Sequence, residues 1–196
     1  RGGRGGASAD LRVDLKVDGP LEALDTRLRS EWAGAKLAAR TTVHALDPRP
    51  LRQVIVDVAE LDLARVRPGL PATLIRGRLT AEMVPAWAGE SAPLLFAGPL
   101  KIDNQLAGTL DQQRLPVSSA SSVISLAGER IDLRSIRIAG PAGDATGRGW
   151  WSPDGFALEA SSDAIQLAGI DSGLQPRSVR AKVALAPVAL APVATV

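Results

Sequence analysis

The feature that most constrains this chain is a two-residue hydrophobic alternation that begins near the first ten residues and keeps returning. In Asp10–Asp18, Leu11, Val13, Leu15 and Val17 alternate with Arg12, Asp14, Lys16 and Asp18. Successive side chains of a strand point to opposite faces, so the segment reads as a strand with one apolar and one charged face. Ala35–Leu46 sets Leu37, Ala39, Thr41 and Val43 against Lys36, Arg40 and Thr42, and Gln53–Val58 aligns Val54, Val56 and Val58. Thr73–Met83 sets Ile75, Gly77, Leu79, Ala81 and Met83 against Arg76, Arg78, Thr80 and Glu82. Leu100–Leu110, Ser122–Leu126, Ile131–Ile138, Ala145–Trp151, Phe156–Ser161 and Ser178–Leu185 continue the pattern. About a dozen strands are expected, most bounded by Gly, Pro, Asp or Ser. Helix signals are confined to Glu60–Val66, ended by Pro68 and Gly69, and to Ala164–Ile170.

Turn chemistry supports this reading. Ser152-Pro153-Asp154-Gly155 predicts a hairpin, with Pro fixing φ and Gly supplying a positive φ. Asp18-Gly19-Pro20 and Ala127-Gly128-Glu129 are further turns. An internal repeat also emerges. At an offset of 104 residues, LDLARVRPGLPATLIRGRLTA (61–81) falls on IQLAGIDSGLQPRSVRAKVAL (165–185) without a gap. Leu63/Leu167, Ala64/Ala168, Gly69/Gly173, Leu70/Leu174 and Arg76/Arg180 are identical. A recurring unit favours a repetitive, elongated sheet over a closed globule.

The side-chain inventory removes most catalytic chemistries. There is no Cys, hence no disulfide, thiolate or Cys-ligated metal, and the one His, His44, falls on the polar side of its strand and reads as a surface or rim residue. Phosphate-binding, dinucleotide-binding, nucleophile-elbow and zinc-protease motifs are absent from the sequence. The carboxylates Asp14/Asp18 and Asp57/Glu60/Asp62 read as solvated strand-face or turn residues. No catalytic, metal or cofactor role is assigned to any residue, and an enzyme is not expected. With 23 Lys and Arg against 21 Asp and Glu, the charge balance names no acidic partner. RGGRGG at residues 1–6 resembles RNA-binding tails but has no aromatic interleaving, so no nucleic acid is expected.

The longest charge-free runs, Leu115–Gly128 and Val183–Val196, have 14 residues each, short of the roughly 18–20 that a membrane span needs. The chain reads as a flexible lead-in (1–9), a repetitive sheet (10–186) and a tail (187–196), cut from a longer protein.

An apolar face made of Val, Leu, Ile, Ala, Gly and Thr must be buried against something. Six aromatics and 19 glycines are poor material for a tightly interlocked core. One solution is a second sheet, giving a sandwich or a solenoid. The other is a curled sheet whose apolar face becomes a trough. Such a trough suits acyl chains, because each CH₂ withdrawn from water contributes roughly 0.8 kcal/mol without directional contacts. Trp150 and Trp151 are adjacent and so point to opposite faces.

The stretches AELDLARVRPGL-x-x-x-LIRGRLTAE (59–82) and ERIDLRSIRIAGPAGDATGRGWWSPDGFALEASSDAIQLAGI (129–170) resemble the TamB family of AsmA-like translocation and assembly proteins. The resemblance covers roughly Leu11 to Leu185. It implies a periplasmic, elongated and curled all-β sheet, a β-taco with a hydrophobic groove, carrying one or two short helical turns. It further implies an anchor in the inner membrane of a Gram-negative bacterium outside this segment, and a TamA-like outer-membrane partner of the Omp85 type. The expected function is a stretch of conduit for phospholipid acyl chains between inner and outer membranes. The alternatives are an assembly or chaperone scaffold for outer-membrane β-barrel proteins and autotransporters, and a structural sandwich or solenoid module. The expected groove wall is Val13, Leu15, Val54, Val56, Val58, Ile75, Leu79, Met83, Leu100, Ile102, Leu158, Val179 and Val183.

Overall fold

The computed structural model describes residues 11–47, 50–84 and 95–185. The lead-in and the tail expected at the two ends lie outside the described residues. Within them the alternating segments become strands β1 (Arg12–Asp18), β2 (Leu24–Trp32), β3 (Ala35–Val43), β4 (Leu51–Leu61), β5 (Ile75–Val84), β6 (Leu95–Asn104), β7 (Ser119–Ala127), β8 (Arg130–Ala139), β9 (Ala145–Ser152), β10 (Gly155–Gln166) and β11 (Ser178–Leu185). Helices α1 (Leu63–Val66) and α2 (Leu167–Ile170) fall inside the two segments expected to make helical turns.

The strands pair in chain order, each antiparallel to the next, in one open, curled sheet that does not close into a barrel. Extensive contacts link only consecutive strands. No second sheet lies on this one among the described residues, so the sandwich and solenoid alternatives give way to a single layer.

Tight turns set the register. Between β2 and β3, Ala33 and Gly34 both have positive φ, 52° and 83°, which fits the twist of a two-residue hairpin. Gly128, at φ 58°, opens the β7–β8 hairpin. The β9–β10 hairpin turns on Pro153-Asp154 as expected, but Gly155 has no positive φ and instead begins β10, paired with Ser152. Three readings are corrected. β2 was missed, because Thr26 and Ser30 dilute its apolar row. β6 begins at Leu95 and ends at Asn104 rather than running to Leu110, since the Asn104 side chain accepts from Leu106 N–H (3.2 Å) and turns the chain. His44 stays at the rim, half-buried, but lies just past β3 rather than within it, its Nδ1–H donating to the Glu22 carbonyl (2.8 Å).

Bulges re-phase the longer strands. Extra residues sit in β4 beside Glu60 (φ 59°) and in β8 at Ser135 (φ 53°), and β10 slips between Ser162 and Ile165. A bulge leaves backbone groups without ladder partners. Hydroxyls within the apolar rows supply them: Ser122 donates to Arg134 C=O (2.9 Å), Ser162 to Asp144 C=O (2.6 Å), and Thr41 to Gln53 C=O (2.7 Å) beside a further register shift.

The two repeat copies fold alike. Val58 pairs with Gly77 and Leu61 with Ile75; their equivalents Ser162 and Ala181, and Ile165 and Val179, pair in the same way. Arg67 N–H bonds Leu63 C=O at 3.0 Å, and Asp171 N–H bonds Leu167 C=O at 3.1 Å. The copies differ at the start of the helix, where Asp62 caps α1 with its side chain and Gln166 does not cap α2, and in the group that receives the following N–H. In the first, the Thr73 hydroxyl accepts from Leu63 N–H (2.9 Å); in the second, Arg177 C=O accepts from Leu167 N–H (3.0 Å).

The connections at this end of the sheet brace one another. Asp111, in the 3-10 turn between β6 and β7, accepts from the Ser172 hydroxyl (2.6 Å) and N–H (3.0 Å) beyond α2. These bonds hold the Asp111 carboxyl down at about 2, chiefly through the Ser172 hydroxyl. The contact is therefore complete above the ordinary carboxylate range and is lost as pH falls through about 2. An NMR titration should show the Ser172 amide shifting with a midpoint near 2, and a midpoint near 4 would refute the contact.

Glycines on the apolar side allow close strand approach. A Cβ at Gly98 would collide with Thr80 C=O, one at Gly147 with Glu159 C=O, and one at Gly149 would lie 2.7 Å from Ala157 C=O. Gly77, on the same face, has ordinary space, its nearest neighbour being Lys101 C=O at 3.6 Å. Gly147→Ala is expected to lower unfolding free energy by roughly 1–3 kcal/mol in urea titration. Gly77→Ala, removing glycine's backbone entropy where there is room, should be neutral or stabilising.

Candidate functional site: the uncovered apolar face

Residues directly opposite in paired strands share a face, so the register shows what the sheet presents. One row runs Leu15–Leu28–Ala39–Val56–Leu79–Leu100 from β1 to β6. A second runs Gly98–Ile124–Leu133–Gly149–Leu158–Leu185 from β6 to β11. Every residue expected to form the groove wall lies on this face. Val54 is opposite Ala81, Val58 opposite Gly77, Ile102 opposite Gly77 and Val183 opposite Ala160. The wall residues do not converge on one pocket: Val13 is on one outer strand and Val179 and Val183 on the other, with nine strands between.

No described element covers this face. Among the described residues Ala81 is the one apolar residue classed as buried, and no side chain is completely enclosed. Leu15, Trp151 and Phe156 are 63, 50 and 45% exposed. The inner wall residues Val54, Val56, Val58, Ile75, Leu79, Met83, Leu100 and Ile102 are half-buried, shielded by their neighbours in the sheet. The buried positions are mostly polar, including Thr73, Asn104, Ser122 and Ser162, which serve the bulges and connections. Eleven strands at about 4.8 Å spacing span on the order of 50 Å. Soluble monomers ordinarily expose only small contiguous apolar patches, so a face of this kind running the width of the sheet marks a binding surface.

A third row escaped the sequence reading. Met83–Phe96–Leu126–Ile131–Trp151–Phe156 runs unbroken from β5 to β10 along the rim where the β7–β8 and β9–β10 hairpins turn. It gathers both phenylalanines of the chain with one of its four tryptophans. Each aromatic sits in a different local context, and only the pairing aligns them. A signal was present in Trp151 and Phe156, which flank the turn Ser152–Gly155 symmetrically.

The opposite face is charged and closed upon itself by ion pairs. Asp57 lies between Arg78 (2.6 Å) and Arg40 (3.3 Å), and the Arg78 hydrogen bond above all holds its carboxyl below the usual carboxylate range. Lys36 meets Glu60 at 2.8 Å, and Arg148 meets Glu159 at 2.8 Å. Trp150 points to this side, as adjacency to Trp151 requires, and Arg130 stacks over its ring at 4.6 Å from the centroid. No group of carboxylates and histidine suited to a metal occurs among the described residues. No described helix is long and apolar enough to cross a membrane.

Comparison with protein families, with curated proteins and with solved structures finds no match to this chain.

The two faces can be told apart by fluorescence. In a variant lacking Trp32 and Trp87, amphiphiles with brominated acyl chains should quench Trp151, and Trp151→Phe should abolish most of that quenching. Trp150→Phe should leave it intact. Equal loss in both variants would contradict the assignment of faces.

Proposed function

We propose that this chain is a segment of a hydrophobic conduit that holds phospholipid acyl chains on its apolar face. The observation that carries the proposal is the apolar surface that runs, with a few hydroxyls set into it, across all the described strands of a single-layer sheet. Ordinary folding would have buried it. A ligand that needs only a continuous aliphatic wall fits such a surface, since each CH₂ desolvated adds roughly 0.8 kcal/mol and demands no hydrogen bond. No reaction occurs in this mechanism. Acyl chains lie against Val56, Leu79, Leu100 and their row neighbours while head groups remain in water. Sliding costs little because the wall repeats.

The resemblance to TamB-like proteins supports placing the segment in a periplasmic protein anchored in an inner membrane. There it would pass phospholipid toward the outer membrane with a TamA-like partner. A second reading, a scaffold for unfolded outer-membrane strands, draws on the two outer strands β1 and β11, each with one edge unpaired among the described residues. Their side chains count against it. Alternating Arg12, Asp14, Lys16 and Asp18 on β1, and Arg180 and Lys182 on β11, are the charges by which edge strands discourage further pairing.

Photocrosslinking in the intact parent protein in cells, at Leu79 and at its outward neighbour Arg78, separates the readings. Phospholipid adducts at Leu79 and not at Arg78 are expected. Polypeptide adducts at Leu79 would favour the scaffold, and no adduct at either position would overturn the conduit. Correspondingly, Leu79→Arg should obstruct lipid passage while Arg78→Leu should not.

A further inference from the structure

On the charged face, one cross-strand row differs in composition from its surroundings. Arg137 on β8 is opposite Thr146 on β9, Thr146 is opposite Ser161 on β10, and Ser161 is opposite Lys182 on β11. The row thus reads cation, hydroxyl, hydroxyl, cation. These four side chains line a depression of about 490 Å³, together with Ser135 at the β8 bulge and the Arg148–Glu159 pair. Elsewhere on this face some cations are tied up by carboxylates, as Arg78 is by Asp57 and Arg180 by Asp163 (3.4 Å), while others, such as Arg29 opposite Asp14 and Arg76 opposite Asp103, form no ion pair among the described residues. Arg137 and Lys182 form no ion pair among the described residues. The one carboxylate in the depression, Glu159, is engaged by Arg148 through Nε at 2.9 Å and a second nitrogen at 2.8 Å.

We propose that this depression is a binding site for a phosphate group, seated over Thr146 and Ser161 and bridged by Arg137 and Lys182. The chemistry matches part for part. A guanidinium presents a planar fork to phosphate oxygens, an ammonium adds a mobile positive charge, and the two hydroxyls donate from below. Arg137 and Lys182 are three strand spacings apart, about 14 Å between backbones, so their long side chains reach inward from the two flanks of the hydroxyl pair. The Ser135 bulge contributes by breaking the β8 ladder beside Arg137, opening space that a regular strand would fill. The site is independent of the apolar face and lies on the other side of the sheet.

The test is a ¹H–¹⁵N NMR titration of the whole chain with inorganic phosphate at constant, low ionic strength, because exposed charges are screened by salt. Saturable shifts of the Thr146 and Ser161 amides are expected, with chloride producing none. Arg137→Gln combined with Lys182→Gln should weaken phosphate binding at least about tenfold, in keeping with the loss of two charge-assisted contacts. Lys16→Gln combined with Arg27→Gln removes the same charge from an adjacent pair on β1 and β2 and should leave binding unchanged. Unsaturable shifts, or equal weakening in both double variants, would overturn the site. Flotation on phosphatidylcholine vesicles with and without phosphatidic acid then identifies the source. Phosphatidic-acid-dependent flotation lost in the Arg137/Lys182 variant assigns a lipid head group. Phosphate binding without flotation assigns a soluble phosphate.

Discussion

The backbone ladder is the interaction on which everything else in this protein depends. A globular domain can tolerate local defects in hydrogen bonding because a packed interior holds its layers together. Here the described residues form one layer, and each strand has extensive contact only with its sequence neighbours. Cohesion along the sheet comes from strand pairing and from the side-chain rows that pairing aligns. The same arrangement resembles a repeat protein, in which each unit is stabilised by its neighbours and length can grow without a central core. The matching geometry of the two copies, down to their register and their short helices, fits that logic.

A ladder this exposed to error needs its interruptions controlled. Each bulge shifts the side-chain phase, and without compensation a one-residue slip would send every following apolar side chain to the charged face. The sheet handles the slips by placing hydroxyls beside them. Ser122 and Ser162 look like flaws in an apolar row, yet they accept the task of satisfying Arg134 and Asp144 carbonyls that the ladder leaves open. Together with Thr73 and Asn104, which serve the connections, they leave the few buried positions among the described residues mostly polar. The bracing among the connections, with Asp111 reaching Ser172 across the ends of β7 to β10, ties that end of the sheet together without adding a second layer.

The division of faces then follows with a clear division of labour. Cross-strand ion pairs such as Arg40–Asp57–Arg78 contribute little stability individually because they are exposed, but they keep one face soluble and give the strands a preferred alignment. The other face is left as an apolar surface with Phe96, Trp151 and Phe156 aligned along one rim and Trp32 at the opposite rim, beside the β2–β3 turn. Side chains of this kind, apolar in body and in Trp's case with a polar N–H, suit a boundary between aliphatic and aqueous surroundings. A surface rather than a pocket is what a sheet without a covering layer offers, and any ligand must match its length and its lack of directional groups.

The alternation in Arg12–Asp18, Ile75–Val84 and Ser178–Leu185 was enough to place strands and to sort Leu79 from Arg78, because pleating is a local property of each strand. The short helices and the duplicated unit were legible for the same reason, being encoded in contiguous residues. β2 was not, since Thr26 and Ser30 sit in its apolar row and the row becomes visible only beside Val17 and Leu37. Nor was the bend at Asn104, where a side-chain acceptor overrides a run of suitable strand residues. By itself, then, the sequence determined two chemically distinct faces and a chain of hairpins. Only the tertiary structure decided that the described strands would form a single layer, that Phe96, Trp151 and Phe156 would share one rim, and that Arg137 and Lys182 would flank the same pair of hydroxyls. Those outcomes depend on register between strands and on what packs against the sheet, and neither is contained in the alternation of any single strand.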